Sequence, residues 1–208
     1  MKRLFSLVII SISILTISGQ EQILNLNQPE REQWFSELGF GMFIHWSFDV
    51  QLGMVISHSM VGASDDYLDR YINELPSSFN PKDFNASLWA RAAKMAGMKY
   101  VVFTTKHHNG FCMFETETTD FSIMNTPYGR DLTRMIVDAF RKEGLAIGFY
   151  YSPDDFYFIH QQGLDVSRAR PEALASHNAE LNAYTKAQMN ELLSNYGPID
   201  IVFLDGLD

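Results

Sequence analysis

Cysteine is almost absent from this 208-residue sequence, which contains only Cys112. A single cysteine excludes an intramolecular disulfide and a cysteine-rich zinc site. Cations are also scarce, since 16 lysines and arginines against 25 aspartates and glutamates give a net charge of −9. This charge repels phosphate backbones and argues against a nucleic-acid partner. With 46% hydrophobic and 20% charged residues, the chain is expected to bury a core and to depend on packing for its stability.

Long apolar runs are missing except at the N-terminus, where two cations precede a largely apolar stretch that ends at Ile17. This order is typical of a secretory signal peptide. The stretch is shorter than the roughly 20 apolar residues that span a bilayer, which argues against a membrane anchor. We therefore predict a signal peptide over residues 1–20, export to the periplasm or the exterior, and a mature region over residues 21–208.

The glycine-rich motifs of nucleotide-binding sheets, GxGxxG and GxxxxGKS/T, do not occur. The sequence contains instead a repeated unit of an amphipathic helix, a glycine and a short apolar strand. These units predict strands over residues 100–105, 145–151 and 199–204, and an earlier apolar run predicts a first strand over residues 39–46. Almost wholly apolar strands that alternate with helices indicate a parallel sheet that is covered by helices.

Two architectures contain such a sheet, the doubly wound nucleotide-binding fold and the (β/α)8 barrel. The missing motifs argue against the first, so we predict an α/β fold of the (β/α)8 TIM-barrel type. A complete barrel has eight strands and typically about 250 residues, whereas four strands are predicted here. We therefore expect about the first four βα units, and hypothesise that they form the N-terminal portion of the catalytic barrel of a longer enzyme. Alone, such a portion would expose sheet edges and is expected to be poorly soluble or inactive.

The helices are predicted from their caps. Asn85 and Asp131 are typical residues for a helix N-terminus, and glycines follow the two predicted helices where a left-handed residue ends a helix. A third helix is predicted over residues 171–196, and residues 21–33 are predicted to be extended. The face of the helix after Asn85 that is expected to be buried carries Leu88, Ala92, Met95 and Ala96.

Polar and aromatic side chains follow or end each predicted strand. In a (β/α)8 barrel the C-terminal ends of the strands meet at one rim, and this rim carries the active site. Packing alone does not explain such a set, because buried polar groups need partners. We therefore predict a site at this rim. Its candidate residues, in strand order, are His45, Trp46, His107, His108, Tyr150 and Asp205.

The chemistry of this set suits a sugar. Histidines and a tyrosine hold donors and acceptors in fixed directions, as the hydroxyls of a sugar require, and Trp46 offers an apolar ring face for its C–H groups. Asp205 is followed by the small residue Gly206, which leaves room for a substrate. An aspartate is ionised at neutral pH without special tuning, so Asp205 is a candidate nucleophile.

A metal-dependent barrel hydrolase is one alternative, because histidines and an aspartate also bind zinc. The sequence contains neither HxH nor HExxH. The neighbouring side chains of His107 and His108 would point to opposite faces of a regular strand, so they can share an ion only if the strand has ended before them.

A carbohydrate-binding fragment without turnover is the second alternative, because no second catalytic carboxylate is identified. Glu74, Glu115 and Glu117 are the loop glutamates near the predicted rim, and we interpret each as a solvated surface residue. Asp154 and Asp155 follow the third strand and are interpreted as part of a turn, with a contact to the substrate as the alternative.

The sequence resembles the α-L-fucosidases of glycoside hydrolase family 29 over about residues 34–208. Four segments carry the resemblance in order, at residues 39–46, 105–112, 148–152 and 199–206. It implies a retaining hydrolase that removes terminal α-linked L-fucose from fucosylated oligosaccharides or glycoconjugates. It also implies that the enzyme uses no metal or organic cofactor.

The same resemblance implies roles for individual residues. Asp205 matches the nucleophile, and the acid/base carboxylate is expected from a later strand or loop. The sequence departs from the usual family pattern at Ser47, where glycine is usual, and at Asn109, where aspartate is usual. The positions that hold the hydroxyls and the ring of fucose are matched by His45, His107, His108 and Tyr150.

Overall fold

The structure is a computed structural model that describes residues 26–167 and 170–206. The predicted signal peptide over residues 1–20 lies outside the described residues. A four-stranded sheet forms the centre of the fold, and all of its neighbouring strands run parallel. Its strands, in both chain and spatial order, are β1 (Met42–Ile44), β2 (Tyr100–Lys106), β3 (Ala146–Tyr151) and β4 (Ile201–Leu204).

Helices precede and connect these strands. Within the described residues, none of the helices is long and apolar enough to cross a membrane. Short 3-10 turns, of which Phe48–Leu52 is the longest, complete the loops. The α-helices of the described chain are α1 (Pro29–Glu37), α2 (Asp65–Asn73), α3 (Ala86–Met95), α4 (Leu132–Lys142), α5 (Phe156–Gln161) and α6 (Ala179–Asn195).

Strand order equals chain order, so each new strand pairs with the strand that precedes it in the sequence. Parallel neighbours require a crossover, and α3, α4 and α6 lie in these connections. The structure therefore confirms the predicted α/β fold. A parallel sheet built in this order is the arrangement of consecutive βα units in a (β/α)8 barrel.

The two faces of the sheet differ in their surroundings. Strand register places Val101 and Phe103 of β2 beside Ile147 and Phe149 of β3, and these side chains are buried in the main hydrophobic core. Residues on the opposite face of the sheet are only partly covered, because Phe43 and Phe203 are 48% and 46% exposed. We call the face that carries Phe43, Tyr150 and Phe203 the inner face.

The helix after Asn85 begins where it was predicted, and the Asn85 side chain accepts a hydrogen bond from the Leu88 backbone N–H. The prediction of its buried face was wrong. Leu88 and Met95 are 53% and 88% exposed, and Ala92 and Ala96 are also exposed. Small side chains allow α3 to approach its neighbours closely, since its buried residues are Ala86, Ala90 and Ala93.

Two other predictions were also wrong in their boundaries. Part of the predicted extended arm is helix α1, whose start is favoured by Pro29 in its first turn and by acidic residues near its N-terminus. The predicted third helix begins only at Ala179, because Asn178 caps it by accepting a hydrogen bond from the Leu181 N–H. The proline-containing segment before it forms a single 3-10 turn over Pro171–Ala173.

Gly148 lies in the middle of β3, where a side chain has no room. A Cβ atom at this position would lie 2.9 Å from the Val101 carbonyl oxygen and 3.1 Å from the Ile201 Cβ. We predict that Gly148→Val lowers the free energy of unfolding by about 1–3 kcal/mol, the usual cost of an overpacked site. Urea unfolding followed by circular dichroism measures this change.

The control is Ala146→Val at the half-covered start of the same strand, for which we expect a smaller loss. A Gly148→Val protein within about 0.5 kcal/mol of the wild type would contradict the packing argument.

Candidate active site

The site forms where the strands end. β1 ends at Ile44 and β2 at Lys106, so His45, His107 and His108 lie immediately beyond their strands. Asp205 immediately follows β4, and Tyr150 lies one residue before the end of β3. His107 and His108 can both face this site, because β2 has ended before them and their side chains need not alternate between the faces of the sheet.

These side chains form one polar cluster. His45 Nε2 lies 2.9 Å from His107 Nε2, and His107 Nε2 lies 3.0 Å from the Tyr150 hydroxyl. The Tyr150 hydroxyl donates a short hydrogen bond to the Asp205 carboxylate. His108 Nε2 lies 3.5 Å from the same carboxylate. Tyr150 and His108 thus contact Asp205 directly, and His45 and His107 are linked to it through Tyr150. The Asp205 side chain is 43% exposed.

Neighbouring groups determine which ring nitrogens carry protons. The His108 backbone N–H donates to His107 Nδ1 at 2.9 Å, so a neutral His107 carries its proton on Nε2. The Thr104 hydroxyl donates to the Ile44 carbonyl and therefore accepts from His45 Nδ1 at 3.3 Å. His45 Nε2 is then an acceptor for His107. Contacts with the His108 backbone and with Thr104 therefore orient the rings of His107 and His45, and the two rings contact each other.

The charge state of His45 follows from its position. Partial burial lowers the pKa of the His45 imidazole below its usual value of 6.5, and the nearby Asp205 carboxylate opposes this effect without reversing it. A lowered pKa favours the neutral ring at pH 7. This agrees with the role of His45 as an acceptor from His107.

A fully buried ion pair, which no sequence pattern predicted, involves Lys106, the residue directly before the histidine pair. Lys106 Nζ lies 2.8 Å from Asp155 Oδ2, and both side chains are fully buried. Burial by itself lowers the pKa of Lys106, but the Asp155 carboxylate raises it more strongly, so the ammonium group stays charged. The ammonium also lies 4.5 Å from the centre of the Tyr151 ring. The partners are 49 positions apart in the sequence, which no local pattern relates.

A second buried network joins the loops that follow β1 and β2. Asn109 Nδ2 donates to Ser47 Oγ at 3.0 Å and to Asp49 Oδ2 at 3.1 Å. The Tyr71 hydroxyl donates to the same Asp49 oxygen at 2.7 Å. Ser47 and Asn109 are therefore hydrogen-bonded to each other.

Trp46 is the one predicted site residue that lies apart from the cluster. Its ring packs against Phe79, Phe84 and Trp89, with centroid distances of 5.4 to 6.0 Å. These contacts place Trp46 among the hydrophobic residues beside α3. Its contact with a substrate stays a prediction.

The glutamates considered from the sequence are exposed or lie at the surface. Glu115 and Glu117 line a surface concavity together with Glu191 of α6, and Glu74 lines another beside Tyr71. The Glu117 backbone N–H donates to Glu191 at 3.0 Å, which holds this loop against the helical layer.

A divalent cation also has a possible set of ligands here. Ring nitrogens of His107 and His108 and a carboxylate oxygen of Asp205 all lie within 4.8 Å of one another. Nitrogen and oxygen donors of this kind are suitable ligands for zinc. These three residues could therefore bind a cation in the metal-dependent alternative.

The fold and the site together define a class of protein. A parallel βα-built sheet with its polar cluster at the C-terminal ends of the strands is the arrangement of the (β/α)8-barrel enzymes. A family model described as α-L-fucosidase matches residues 18–207. The chain belongs to the α-L-fucosidase family, which is glycoside hydrolase family 29.

Individual relatives agree with this assignment. The chain is 36% identical to α-L-fucosidase 1 of Arabidopsis thaliana over 134 residues, which cover 63% of this chain and 24% of the plant protein. It is 27% identical to the plasma α-L-fucosidase of Homo sapiens over 214 residues, which cover 88% of this chain and 41% of the human protein.

Solved structures are similar as well. α-L-Fucosidase isoenzyme 1 from Paenibacillus thiaminolyticus matches with a TM-score of 0.64 and 40% identity, covering 85% of this chain and 42% of that one. A family 29 α-L-fucosidase from Bacteroides thetaiotaomicron matches with a TM-score of 0.64 and 29% identity, covering 86% and 41%. The chain spans about two fifths or less of the length of these four proteins.

The buried ion pair gives a prediction about stability. Lys106→Met leaves the Asp155 carboxylate buried without its cation, so we expect the free energy of unfolding to fall by about 3–5 kcal/mol. Urea unfolding monitored by tryptophan fluorescence measures the loss.

The matched control is the double variant Lys106→Met with Asp155→Asn, in which no uncompensated charge remains and the Asn side chain still accepts from the Phe158 N–H. We expect it to recover most of the loss. A loss below about 1 kcal/mol in the single variant would show that the pair is not stabilised as described.

Proposed function

We propose that this chain carries the nucleophile and the sugar-binding groups of a retaining α-L-fucosidase, which removes terminal α-linked L-fucose from glycans or glycoconjugates. The observation that carries the proposal is the placement of Asp205. Its carboxylate lies at the end of β4, is partly exposed, and contacts Tyr150 and the buried His108. An ionised carboxylate that is oriented by two neighbours and still open to solvent suits nucleophilic attack.

The hydrogen-bonding groups around Asp205 suit a sugar. His45, His107 and Tyr150 hold donors and acceptors in fixed directions at the rim, as the hydroxyls of a sugar require. On the inner face, Phe203 stacks on Tyr150 with a centroid distance of 5.7 Å, and Phe43 lies 5.5 Å from the His45 ring. The interior of a (β/α)8 barrel is a packed core, so these rings support the rim side chains.

The proposed reaction is a double displacement. Asp205 attacks the anomeric carbon, an ester bond forms, and the glycosidic bond breaks as a general acid protonates the leaving oxygen. Water then attacks the anomeric carbon while the same acid group, now a base, takes a proton from it, and the ester bond to Asp205 breaks, which releases fucose and restores the carboxylate. The Tyr150 hydroxyl holds one oxygen of Asp205, which leaves the other free to attack.

The general acid is expected about 5–5.5 Å from the nucleophile. We do not propose Glu115 or Glu117 for this role, because their loop is held against α6 by Glu191. The retaining mechanism is supported by one of the matched structures from Bacteroides thetaiotaomicron, which is described as a covalent intermediate trapped with 2-fluoro-fucosyl fluoride.

We also propose that the protein is exported through a signal peptide over residues 1–20, with the barrel portion in residues 21–208. The support is the order of cations, apolar residues and polar residues at the N-terminus. The human relative is described as a plasma fucosidase, which agrees with export. N-terminal sequencing of the protein recovered from the culture medium or periplasm tests this boundary.

We expect Asp205→Asn to lower the turnover of an aryl α-L-fucoside by about 10³-fold or more, because the amide cannot act as the nucleophile. An aryl group with an acidic phenol is the suitable leaving group, because it departs with little help from an acid. Release of the phenol measures turnover, and mass spectrometry after treatment with 2-fluoro-fucosyl fluoride should locate the label on Asp205. The control is Asp138→Asn on the exposed side of α4, which should keep wild-type turnover and labelling.

Turnover that survives Asp205→Asn, or a label on another residue, would contradict the nucleophile. A metal-dependent hydrolase would instead lose turnover with a chelator and regain it with zinc. Fucose binding without turnover or labelling in the wild type would support the carbohydrate-binding alternative.

A further inference from the structure

We propose that Asp154 is a positioning residue that orients the His108 ring so that its Nε2 faces Asp205. The catalytic meaning of this inference rests on the proposed function, in which Asp205 is the nucleophile. The sequence pattern was interpreted as placing Asp154 in a turn, with a contact to the substrate as the alternative.

Asp154 contacts His108 from the side opposite Asp205. Its Oδ2 lies 3.6 Å from His108 Nδ1, while His108 Nε2 lies 3.5 Å from Asp205 Oδ2. The side chains of His108 and Asp154 are 1% and 2% exposed. A carboxylate buried to this extent is costly unless it interacts with a donor or a cation. The ring of His108 therefore lies between two carboxylates, and each faces a different nitrogen.

The turn that carries Asp154 is tied to the backbone of the histidine pair. The Phe156 N–H donates to the His108 carbonyl at 2.7 Å, and the Ser152 N–H donates to the Lys106 carbonyl at 3.1 Å. These bonds flank Asp154 on both sides in the sequence. The position of Asp154 relative to His108 is thus determined by main-chain contacts as well as by its own side chain.

The next residue, Asp155, fixes the same turn through both of its carboxylate oxygens. One of its carboxylate oxygens forms the buried ion pair with Lys106, and the other accepts from the Phe158 N–H at the start of α5. Because Lys106 directly precedes the histidine pair, the ion pair joins the two segments that carry His108 and Asp154. A rigid support of this kind is what an orienting group requires.

The far side of Asp154 meets the nucleophile segment. A Cβ atom placed on Gly206 would lie 3.4 Å from Asp154 Oδ1 and 3.3 Å from Pro153 Cδ. The residue after Asp205 therefore packs closely on the Asp154 turn. Asp154 contacts His108 and borders the segment of Asp205, so its removal is expected to disturb the relative placement of these two groups.

Two carboxylates and two rings are neighbours of the His108 ring. Asp154 and Asp205 face its two nitrogens. The rings of His107 and Phe156 lie 4.6 Å and 5.8 Å from it between centroids. Of these, Asp154 is the buried carboxylate that faces Nδ1, at 3.6 Å. An oxygen at this position directs Nδ1 away from the substrate and Nε2 towards it.

Asp154→Ala and Asp154→Asn together test the proposal. Ala removes the oxygen that faces Nδ1, whereas Asn keeps an oxygen acceptor of the same size. If Asp154 orients the ring, we expect Ala to lower kcat about tenfold to 100-fold with little change in KM, because a displacement of about 1 Å near the reacting atoms costs this much. We expect Asn to stay within about threefold of the wild type. Aryl α-L-fucoside kinetics, corrected for the folded fraction, give these values.

A second measurement does not depend on turnover. In spectra of protein labelled at histidine carbons, the His108 ring should show nuclear Overhauser signals to the Phe156 ring in the wild type and in Asp154→Asn. These signals should be weak or absent in Asp154→Ala. A His108→Asn variant assigns them, and Asp66→Asn on exposed α2 is the control that should change nothing.

Equal kcat values in the wild type and both Asp154 variants, or unchanged Overhauser signals between His108 and Phe156 in a folded Asp154→Ala protein, would overturn the inference. If Asp154→Ala does not fold, Asp154→Ser, which also withdraws the oxygen from His108 Nδ1, takes its place, and an unchanged kcat with unchanged Overhauser signals in that variant would overturn an orienting role. If neither this chain nor a longer form that carries the acid/base carboxylate turns over fucosides, the proposed function fails, while the spectra still decide whether Asp154 orients His108.

Discussion

The arrangement of the polar cluster depends on the buried ion pair between Lys106 and Asp155. Removing two charges from water is costly, and a well-packed apolar pair at the same place is often as stable. Here the pair also connects the end of β2 to the turn after β3, and its Asp155 carboxylate starts α5. The ion pair thereby positions both the histidine pair after β2 and the turn that carries Asp154. Burying the two charges thus costs free energy and also defines the geometry of the site.

A second buried hydrogen-bonded network supports the neighbouring edge of the site. Asn109 joins Ser47 and Asp49, so the loops that follow β1 and β2 are held together by hydrogen bonds. An aspartate at residue 109 would face the Asp49 carboxylate, whereas the Asn109 amide donates to it. The Ser47 and Asn109 side chains are therefore chemically consistent with each other and with a buried Asp49.

The predictions that succeeded rest on local chemistry. Glycines and side-chain caps such as Asn85 and Asp131 identified the helix ends, and apolar runs identified the four strands, because both signals act within a few residues. The prediction for α3 failed because small alanines, not its larger apolar side chains, face the core. Which face of a helix is buried depends on the elements that surround it, and a helix with apolar residues on two sides does not reveal this choice.

The sequence by itself determined the parallel βα order and the identity of the residues at the strand ends, because strand periodicity, capping and chain order are local properties. The tertiary structure alone decided which of those residues meet. His45 and His107 are 62 positions apart, and Tyr150 and Asp205 are 55 apart, yet each pair is in hydrogen-bond contact. It also separated Trp46 from the cluster and joined Lys106 to Asp155 beneath it. Such contacts arise from strand register and from the desolvation of charge in the packed chain, and neither is encoded in any single segment.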